Sequence, residues 1–220
     1  MDASPNHKLC VRGVPIFNHL TEEEMNEVFS KVSSKQYGKH DHLYMAEDPK
    51  NSLFVLHRGK VRIYRLNEEG KDQLIRVLLP GDFTGELALF GTRDSHDAYA
   101  EIMEESRVCE ISKEDIYGLL KEYPDIGIKI IEKFSERLKE TEQQATNIAL
   151  LSSEERLLEY IRTHMDEDDY VNLTMTKKDL ASYLSMQPET LTRIFKKLEA
   201  DEVIEKVNNK KYMILEYSIL

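Results

Sequence analysis

The sequence predicts an α+β fold in three parts: an N-terminal antiparallel β domain, a long helix, and a C-terminal helical unit that ends in a β-hairpin. Three observations lead to this prediction. All nine glycines precede residue 128, and five of them separate short β-rich segments between residues 59 and 91. Residues 124–150 carry apolar side chains every three or four positions, which is the period of an amphipathic helix. Residues 176–198 contain two short amphipathic segments joined by a turn.

The first part, residues 1–123, has the glycine-punctuated pattern typical of an antiparallel sandwich or barrel. A capping box at Thr21–Glu24 predicts a short helix that runs to about Val32. The loop at residues 65–70 predicts a hairpin, with Gly70 supplying the positive φ that such a turn needs. Ser112 is expected to cap another short helix. Three β-rich segments are expected to be separate strands: Leu53–His57, Val61–Leu66 and Gln73–Leu79.

The second part, residues 124–150, is predicted to be one helix of about 25 residues. Such a long helix cannot bury its whole apolar stripe against a small β domain, so we expect it to pair with a second copy in a parallel coiled coil, as a homodimer. The sequence leaves open the alternative that the helix packs along the β domain. The stripe consists of Ile126, Ile130, Phe134, Leu138, Thr141, Ala145 and Ile148.

The third part, residues 151–220, contains the pattern of a helix-turn-helix followed by a β-hairpin wing. Thr176 is placed to begin the first helix, and Pro188 suits the first position of the second. In the second helix the apolar residues face inward and leave one polar face outside. The residues expected on that face are Glu189, Thr192, Arg193, Lys196 and Lys197.

This outer face has the chemistry needed to read DNA in the major groove. An arginine can donate two parallel hydrogen bonds to guanine, and a glutamate can accept one from cytosine. We therefore predict that Glu189 and Arg193 read bases, although a surface ion pair between the two would give the same spacing. A second set is predicted to contact phosphate, which supplies affinity without sequence information. It comprises Thr176, Lys177, Lys178, Gln187, Lys196 and Lys197.

Composition excludes a generic nucleic-acid or membrane-surface binder. The 30 Lys and Arg residues face 41 Asp and Glu residues, for a net charge of −11, so the surface as a whole repels polyanions. No apolar run approaches the ~18 residues of a membrane span, and the N-terminal residues lack the pattern of a signal peptide. We therefore expect a cytoplasmic protein without a membrane partner.

Three segments resemble the CRP/FNR family of bacterial transcription regulators: Gly59–Arg62, Pro80–Phe90 and Glu189–Arg193. The resemblance implies a β-roll like that of cyclic-nucleotide-binding domains (a jelly roll), a dimerisation helix and a winged helix-turn-helix. It also implies that Glu189, Thr192 and Arg193 read inverted repeats with TGA-type half-sites, with double-stranded DNA and RNA polymerase as partners. Ser185 occupies the turn position where the family usually has glycine.

The resemblance bears on the effector as well. Gly85 and Glu86 stand where cAMP-binding members contact the ribose, and Thr141 where a threonine contacts the base. The arginine and serine that hold the cyclic phosphate are replaced by His96 and Asp97. A carboxylate repels a phosphodiester, so we do not expect cAMP as a cofactor. A different small-molecule effector, or activity without an effector, remains an alternative.

Cys10 and Cys109 are the two cysteines of the chain. Two thiolates do not complete the four ligands of a [4Fe–4S] cluster, so no iron–sulfur cofactor is expected. The pattern instead resembles two-cysteine FNR-like proteins of lactic-acid and related Gram-positive bacteria, which implies a reversible disulfide as the sensor. The alternative is that Cys109 is a small buried apolar residue.

One rival function comes from another class. His40, His42 and Glu47 could bind a divalent metal, as the first motif of cupin enzymes does. The glycine spacing of that motif is absent, however, and no second histidine motif follows Pro80. Because no other catalytic arrangement appears in the sequence, we predict neither a metal site nor an enzyme.

Overall fold

A computed structural model describes residues 14–49, 52–92 and 95–216. They form two compact units that divide between Arg137 and Leu138, with residues 72–74 grouped in the second unit. The division falls inside the long helix, whereas the domains predicted from sequence change at residues 123/124 and 150/151. The fold class is α+β, as predicted. Within the described ranges, no helix combines the length and hydropathy that crossing a membrane requires.

In the first unit, the described residues include six strands that form one antiparallel sheet. Strand β6 lies between β1 and β3, β4 follows β3, β2 pairs with β6, and β5 pairs with β3. The elements are α1 (Glu22–Ser30), β1 (Val32–Tyr37), β2 (His42–Tyr44), β3 (Ser52–Leu66), β4 (Asp72–Leu78), β5 (Phe83–Thr84), α2 (Glu86–Phe90), β6 (Tyr99–Ser112) and α3 (Lys113–Glu122).

Strand β3 corrects the prediction of two separate strands at Leu53–His57 and Val61–Leu66. It runs through Gly59 without a break, and its register against β6 shifts between Leu56 and Val61. Gly59 has φ +100°, and a Cβ there would lie 2.0 Å from Oγ of Ser106. Glycine therefore permits an irregularity at which the two strands approach closely, instead of ending the strand.

Local signals at the helix ends are confirmed. Thr21 forms the predicted capping box with Glu24, and Ser112 accepts a hydrogen bond from the amide of Asp115. The first helix ends at Ser30, two residues before the predicted end, because Val32 already pairs with β6. The predicted hairpin turn also forms, with Gly70 at φ +76°.

The long helix α4 spans Pro124–Leu150, as predicted. The first part of its apolar stripe, however, packs against the β unit and not against a second copy of the helix. Ile126 and Ile130 are buried in the core of the β unit, and Phe134 packs against that core. The packing alternative is therefore correct for the first part of the helix. The reason is that this part lies directly over the sheet, where Phe83 and Phe134 place their rings 6.3 Å apart.

In the second unit, the helices pack on a three-stranded antiparallel sheet in the order β7-β9-β8. Strand β7 was not predicted; it is three residues long and follows the acidic loop at residues 166–169. The two predicted wing strands are confirmed. Beyond α4, the elements are α5 (Ser153–His164), β7 (Tyr170–Asn172), α6 (Lys177–Tyr183), α7 (Pro188–Ala200), β8 (Ile204–Lys206) and β9 (Lys211–Ile214).

Candidate nucleic-acid interface

Helices α6 and α7 form the predicted helix-turn-helix. Leu180 and Ala181 of the first helix are fully buried, and α7 buries Leu191, Ile194, Phe195 and Leu198. This packing fixes which way α7 turns its polar face. Glu189, Thr192, Arg193 and Lys196 are exposed on that face and line, together with Pro188, a shallow open concavity.

The two charged base-reading candidates, Glu189 and Arg193, are not engaged by other side chains of the described residues. Within the described residues, neither Glu189 nor Arg193 makes a hydrogen bond or an ion pair. The surface ion pair considered from their spacing is therefore not formed. Thr192 is exposed, and its hydroxyl donates to the carbonyl oxygen of Pro188 at 2.8 Å. The face thus offers a carboxylate acceptor, a methyl group and a guanidinium donor to a ligand.

The turn holds the two helices through a Schellman motif. The amide of Met186 donates to the carbonyl of Ala181 at 2.9 Å, and the amide of Ser185 donates to the carbonyl of Ser182 at 3.0 Å. This motif needs a left-handed residue at its centre, and Ser185 has φ +52°. A serine therefore carries the backbone strain that glycine would avoid. Gln187, at the start of α7, makes no capping hydrogen bond with its side chain.

The phosphate-contacting candidates divide into exposed and engaged side chains. Lys178 and Lys196 are exposed. Lys177 lies over the Phe195 and Tyr212 rings, 4.3 and 5.3 Å from their centroids, and burial lowers the pKa of its amine. The Thr176 hydroxyl caps α6. The ammonium group of Lys177 therefore packs against two aromatic rings of the domain, in addition to adding a positive charge to it.

Lys197 is also engaged. Its Nζ lies 2.7 and 2.8 Å from the two carboxylate oxygens of Glu154 on α5. The hydrogen bond to Glu154 raises the pKa of the Lys197 amine. A phosphate would have to compete with this carboxylate for the ammonium group.

In the first unit, the effector-pocket candidates surround a buried carboxylate. Glu86 follows Gly85, which has φ +93°, and its Oε1 accepts hydrogen bonds from Arg76 at 2.8 Å and from Arg137 of α4 at 3.0 Å. The guanidinium of Arg137 also donates to the Phe83 carbonyl at 2.8 Å and stacks over the Phe83 ring. The carboxylate that resembles a ribose contact is thus held by two arginines of the same unit.

His96 and Asp97 point to different surroundings. His96 is buried, and its ring stacks on that of Tyr44, with centroids 3.7 Å apart. Tyr44 in turn shares a 2.6 Å hydrogen bond with the Thr84 hydroxyl, and burial raises the pKa of Tyr44 to about 12. Asp97 is exposed and pairs with Arg65. These two positions therefore hold a buried imidazole and an exposed carboxylate that is paired with an arginine.

The remaining candidates are not joined into a site. Cys109 is buried on β6 within the core of the β unit, whereas Cys10 lies outside the described residues. Thr141 is exposed on the portion of α4 that belongs to the second unit. His40 hydrogen-bonds Glu101 at 2.8 Å, and His42 contacts the Tyr64 hydroxyl at 3.4 Å. Across the described ranges, no three His, Cys, Asp or Glu side chains are grouped as a metal would require.

Comparison with known families assigns both halves of the chain. Residues 34–123 match the cyclic nucleotide-binding domain, and residues 155–220 match the Crp-like helix-turn-helix domain. Over nearly its whole length, the chain is 31% identical to the "Probable transcriptional regulator flp" of Lacticaseibacillus casei, with 94% of each chain covered. The chain belongs to the CRP/FNR family of transcription regulators. Its members are DNA-binding regulators and not enzymes, which confirms that prediction and removes the cupin alternative.

Other CRP/FNR proteins agree in sequence and fold. The chain is 27% identical to the "Fumarate and nitrate reduction regulatory protein" of Vibrio cholerae, over 91% of this chain and 82% of that protein. The fold matches the c-di-GMP responsive regulator CLP of Xanthomonas campestris with a TM-score of 0.76 at 20% identity, covering 90% of this chain and all of that one. It also matches FixK2 of Bradyrhizobium japonicum with a TM-score of 0.73 at 19% identity, covering 86% and 94% of the two chains.

Sequence reasoning missed three residues that contact the effector-pocket candidates Glu86 and His96: Tyr44, Arg76 and Arg137. In the sequence, Arg137 falls on the charged side of α4, where its pattern cannot be distinguished from that of a solvent-exposed arginine. Its partner Glu86 is 51 positions away in the chain. The one available signal was Glu86 itself, because a carboxylate that is buried in a β domain needs cationic partners.

Proposed function

We propose that this chain regulates transcription as a dimer that reads an inverted repeat with TGA-type half-sites through Glu189, Thr192 and Arg193. The observation that carries the proposal is the state of this face of α7. Both charged side chains are exposed and unengaged within the described residues, while the apolar face beneath them is fully buried. A charged pair without internal partners on a rigid helix is available for bases.

The three side chains divide the reading between them. Arg193 has the fork of donors that matches O6 and N7 of guanine, and the Glu189 carboxylate can accept from the amino group of cytosine. The Thr192 methyl group suits the methyl of thymine, because its hydroxyl is already donated to Pro188. The phosphate contacts fall to Lys178 of α6 and Lys196 of α7, which are both exposed.

The dimer is supported by a second apolar face on α4. Ile128, Ile131 and Leu138 are 54%, 64% and 59% exposed. Ala145 continues the same line, so the spacing is three and then seven residues, as in the a and d positions of a heptad. This seam shares Leu138 and Ala145 with the stripe predicted from sequence, but it begins at Ile128 and Ile131, because Ile126 and Ile130 are buried inside the β unit. A second copy of the helix would cover it.

Selection of bound DNA from random sequence, followed by affinity measurement, tests the proposal. Wild-type protein should prefer a TGA-type palindrome over a scrambled site of equal length. Arg193→Ala should lose about 1–3 kcal/mol of discrimination at one base pair. Lys196→Ala should weaken both sites alike and reduce the salt slope by about 0.9 for each protomer of the dimer. Lys197→Ala is the matched control, expected to have a smaller effect because Glu154 holds that amine. Equal affinity for both sites would refute sequence-specific reading.

We further propose that cyclic AMP is not the effector and that no cofactor is needed for the fold of the pocket. Oε1 of the Glu86 carboxylate is already held by Arg76 and Arg137, and His96 is stacked in the core. Titration of the protein with cAMP should release no binding heat and leave DNA affinity unchanged. Saturable cAMP binding that disappears in Glu86→Gln would overturn this part of the proposal.

Thiol–disulfide control is the second part of the proposal, as in the two-cysteine FNR-like proteins that the sequence resembles. Cys109 belongs to the same buried cluster as Ile126 and Ile130 of α4. Removing one hydrogen from each thiol to join Cys10 and Cys109 would pass two electrons to an oxidant such as a small disulfide. The change would then alter the packing of the core that seats the start of the long helix.

Non-reducing electrophoresis of wild type and Cys10→Ser tests this control. Oxidant should change the mobility and the DNA affinity of wild type, and neither in the variant. Unchanged mobility and affinity of the oxidised wild type would rule out the switch.

As a regulator of transcription, the protein should act in the cytoplasm and contact RNA polymerase. Co-purification of the protein with RNA polymerase on promoter DNA would test this contact.

A further inference from the structure

The C-terminal end of α6 is held by side chains from three other elements of the second unit. One of these side chains is that of Gln73 of β4, whose Nε2 donates to the Ser182 carbonyl at 2.5 Å. The last carbonyls of a helix lack partners within the helix and must find them elsewhere. The Tyr183 carbonyl accepts a 2.8 Å hydrogen bond from Nε2 of Gln144 on α4. The Ser185 carbonyl accepts a 3.3 Å hydrogen bond from Nη2 of Arg156 on α5. Both bonds fall on the turn that precedes the recognition helix α7.

Arg156 also binds the end of the long helix. Its Nη1 donates to the carbonyls of Ile148 at 3.3 Å and of Leu151 at 3.1 Å, and its Nη2 contacts the Ser153 hydroxyl at 3.2 Å. A guanidinium is planar and carries five donors in a fixed arrangement. One rigid group therefore joins the end of α4, the start of α5 and the turn of the helix-turn-helix.

We propose that Gln144 and Arg156 are positioning residues that fix the angle between the C-terminal part of α4 and the recognition helix. The turn cannot absorb a change of angle, because the Schellman bonds at Ser185 and Met186 lock it and α7 begins at Pro188. The orientation of the base-reading face then follows the end of α4. The inference rests on the proposed dimer, in which two such angles set the distance between the recognition helices.

Spacing preference on DNA distinguishes positioning from mere stability. The test uses palindromes with identical half-sites and a spacer shortened or lengthened by one and two base pairs. Wild type should prefer one spacing. Arg156→Gln and Gln144→Glu should lose about tenfold affinity at that spacing, since each hydrogen bond lost costs roughly a factor of ten or less, and bind the other spacers nearly as well as wild type does. The matched controls are Arg162→Gln on α5 and Gln143→Glu on α4, whose side chains bond within their own helices.

The outcomes separate the inference from the proposed function. If wild type prefers one spacing and both variants keep the same profile, or lose affinity by one factor at every spacing, the positioning role is wrong while the function stands. If wild type binds scrambled DNA as tightly as the palindromes, the proposed function fails. Should Arg156→Gln not fold, Arg156→Lys and Gln144→Glu carry the test. A lysine keeps the charge without spanning both carbonyls, so Arg156→Lys should also flatten the profile.

Discussion

Replacing Ser185 by glycine is expected to stabilise the DNA-binding unit. Ser185 sits at the left-handed position of the turn, with φ +52°. The substitution removes the Cβ that makes this conformation unfavourable. It leaves the backbone bonds of the turn in place, including the carbonyl that accepts from Arg156. The substitution also removes the Oγ that accepts a 3.4 Å hydrogen bond from Nε2 of Gln73, so strain is measured against Ser185→Ala, which loses the same hydrogen bond.

The magnitude follows from two opposing terms. A residue with a Cβ costs roughly 1–2 kcal/mol in the left-handed region. Glycine also increases the conformational entropy of the unfolded chain, which lowers the free energy of unfolding by about 0.4–1 kcal/mol. The net stabilisation should be about 0.5–1 kcal/mol. Ser185→Ala keeps the Cβ and is the matched control, expected to be no more stable than wild type.

Native-state hydrogen exchange is the suitable assay, since it reports the opening free energy of one unit even when two units unfold separately. The probes are the slowly exchanging amides of Leu191 and Phe195, whose side chains are buried in α7. Ser185→Gly should slow their exchange relative to Ser185→Ala. If the glycine variant exchanges as fast as the alanine variant or faster, strain at Ser185 does not limit stability and the reasoning fails.

Three further predictions concern other sites. Glu86→Ala should lower the unfolding free energy by about 3 kcal/mol in urea, because Arg76 and Arg137 both lose the buried carboxylate that they share; a value near zero would contradict the role of the cluster. Leu138→Lys should shift the chain from dimer to monomer in sedimentation, whereas an unchanged mass would refute the seam. The Ser152 hydrogen bonds lower the pKa of Glu155 from its usual 4.5, so this stabilisation is present above that pH and is lost as pH falls through the lowered pKa. Glu155→Gln should flatten that acid-dependent loss in a pH series of urea melts.

Local signals in the sequence were sufficient wherever a structure depends on neighbours in the chain. The capping box at Thr21, the hairpin at Gly70 and the turn at Ser185 each need only a few consecutive residues to form. The inward and outward faces of α7 were predictable for the same reason. Its apolar residues follow one helical period, so the opposite face must be polar.

Pairings between distant residues could not be predicted. The long helix carries two apolar lines, one through Ile126 and Ile130 and the other through Ile128 and Ile131. The sequence does not say which one the β sheet covers, and only the packed fold shows that the first line is buried. The three-residue strand β7 is too short for a pattern and exists because β9 pairs with it.

The engagement of the basic side chains bears on how this regulator balances affinity and specificity. Residues 174–197 carry five basic and two acidic residues in a chain of net charge −11. Lys197 is held by Glu154, and Lys177 lies on two aromatic rings, so fewer cations are available to phosphate than the sequence suggests. Phosphate contacts supply affinity to any DNA. Under the proposed function, a domain with few free cations should bind random DNA weakly and should take its discrimination from Glu189 and Arg193.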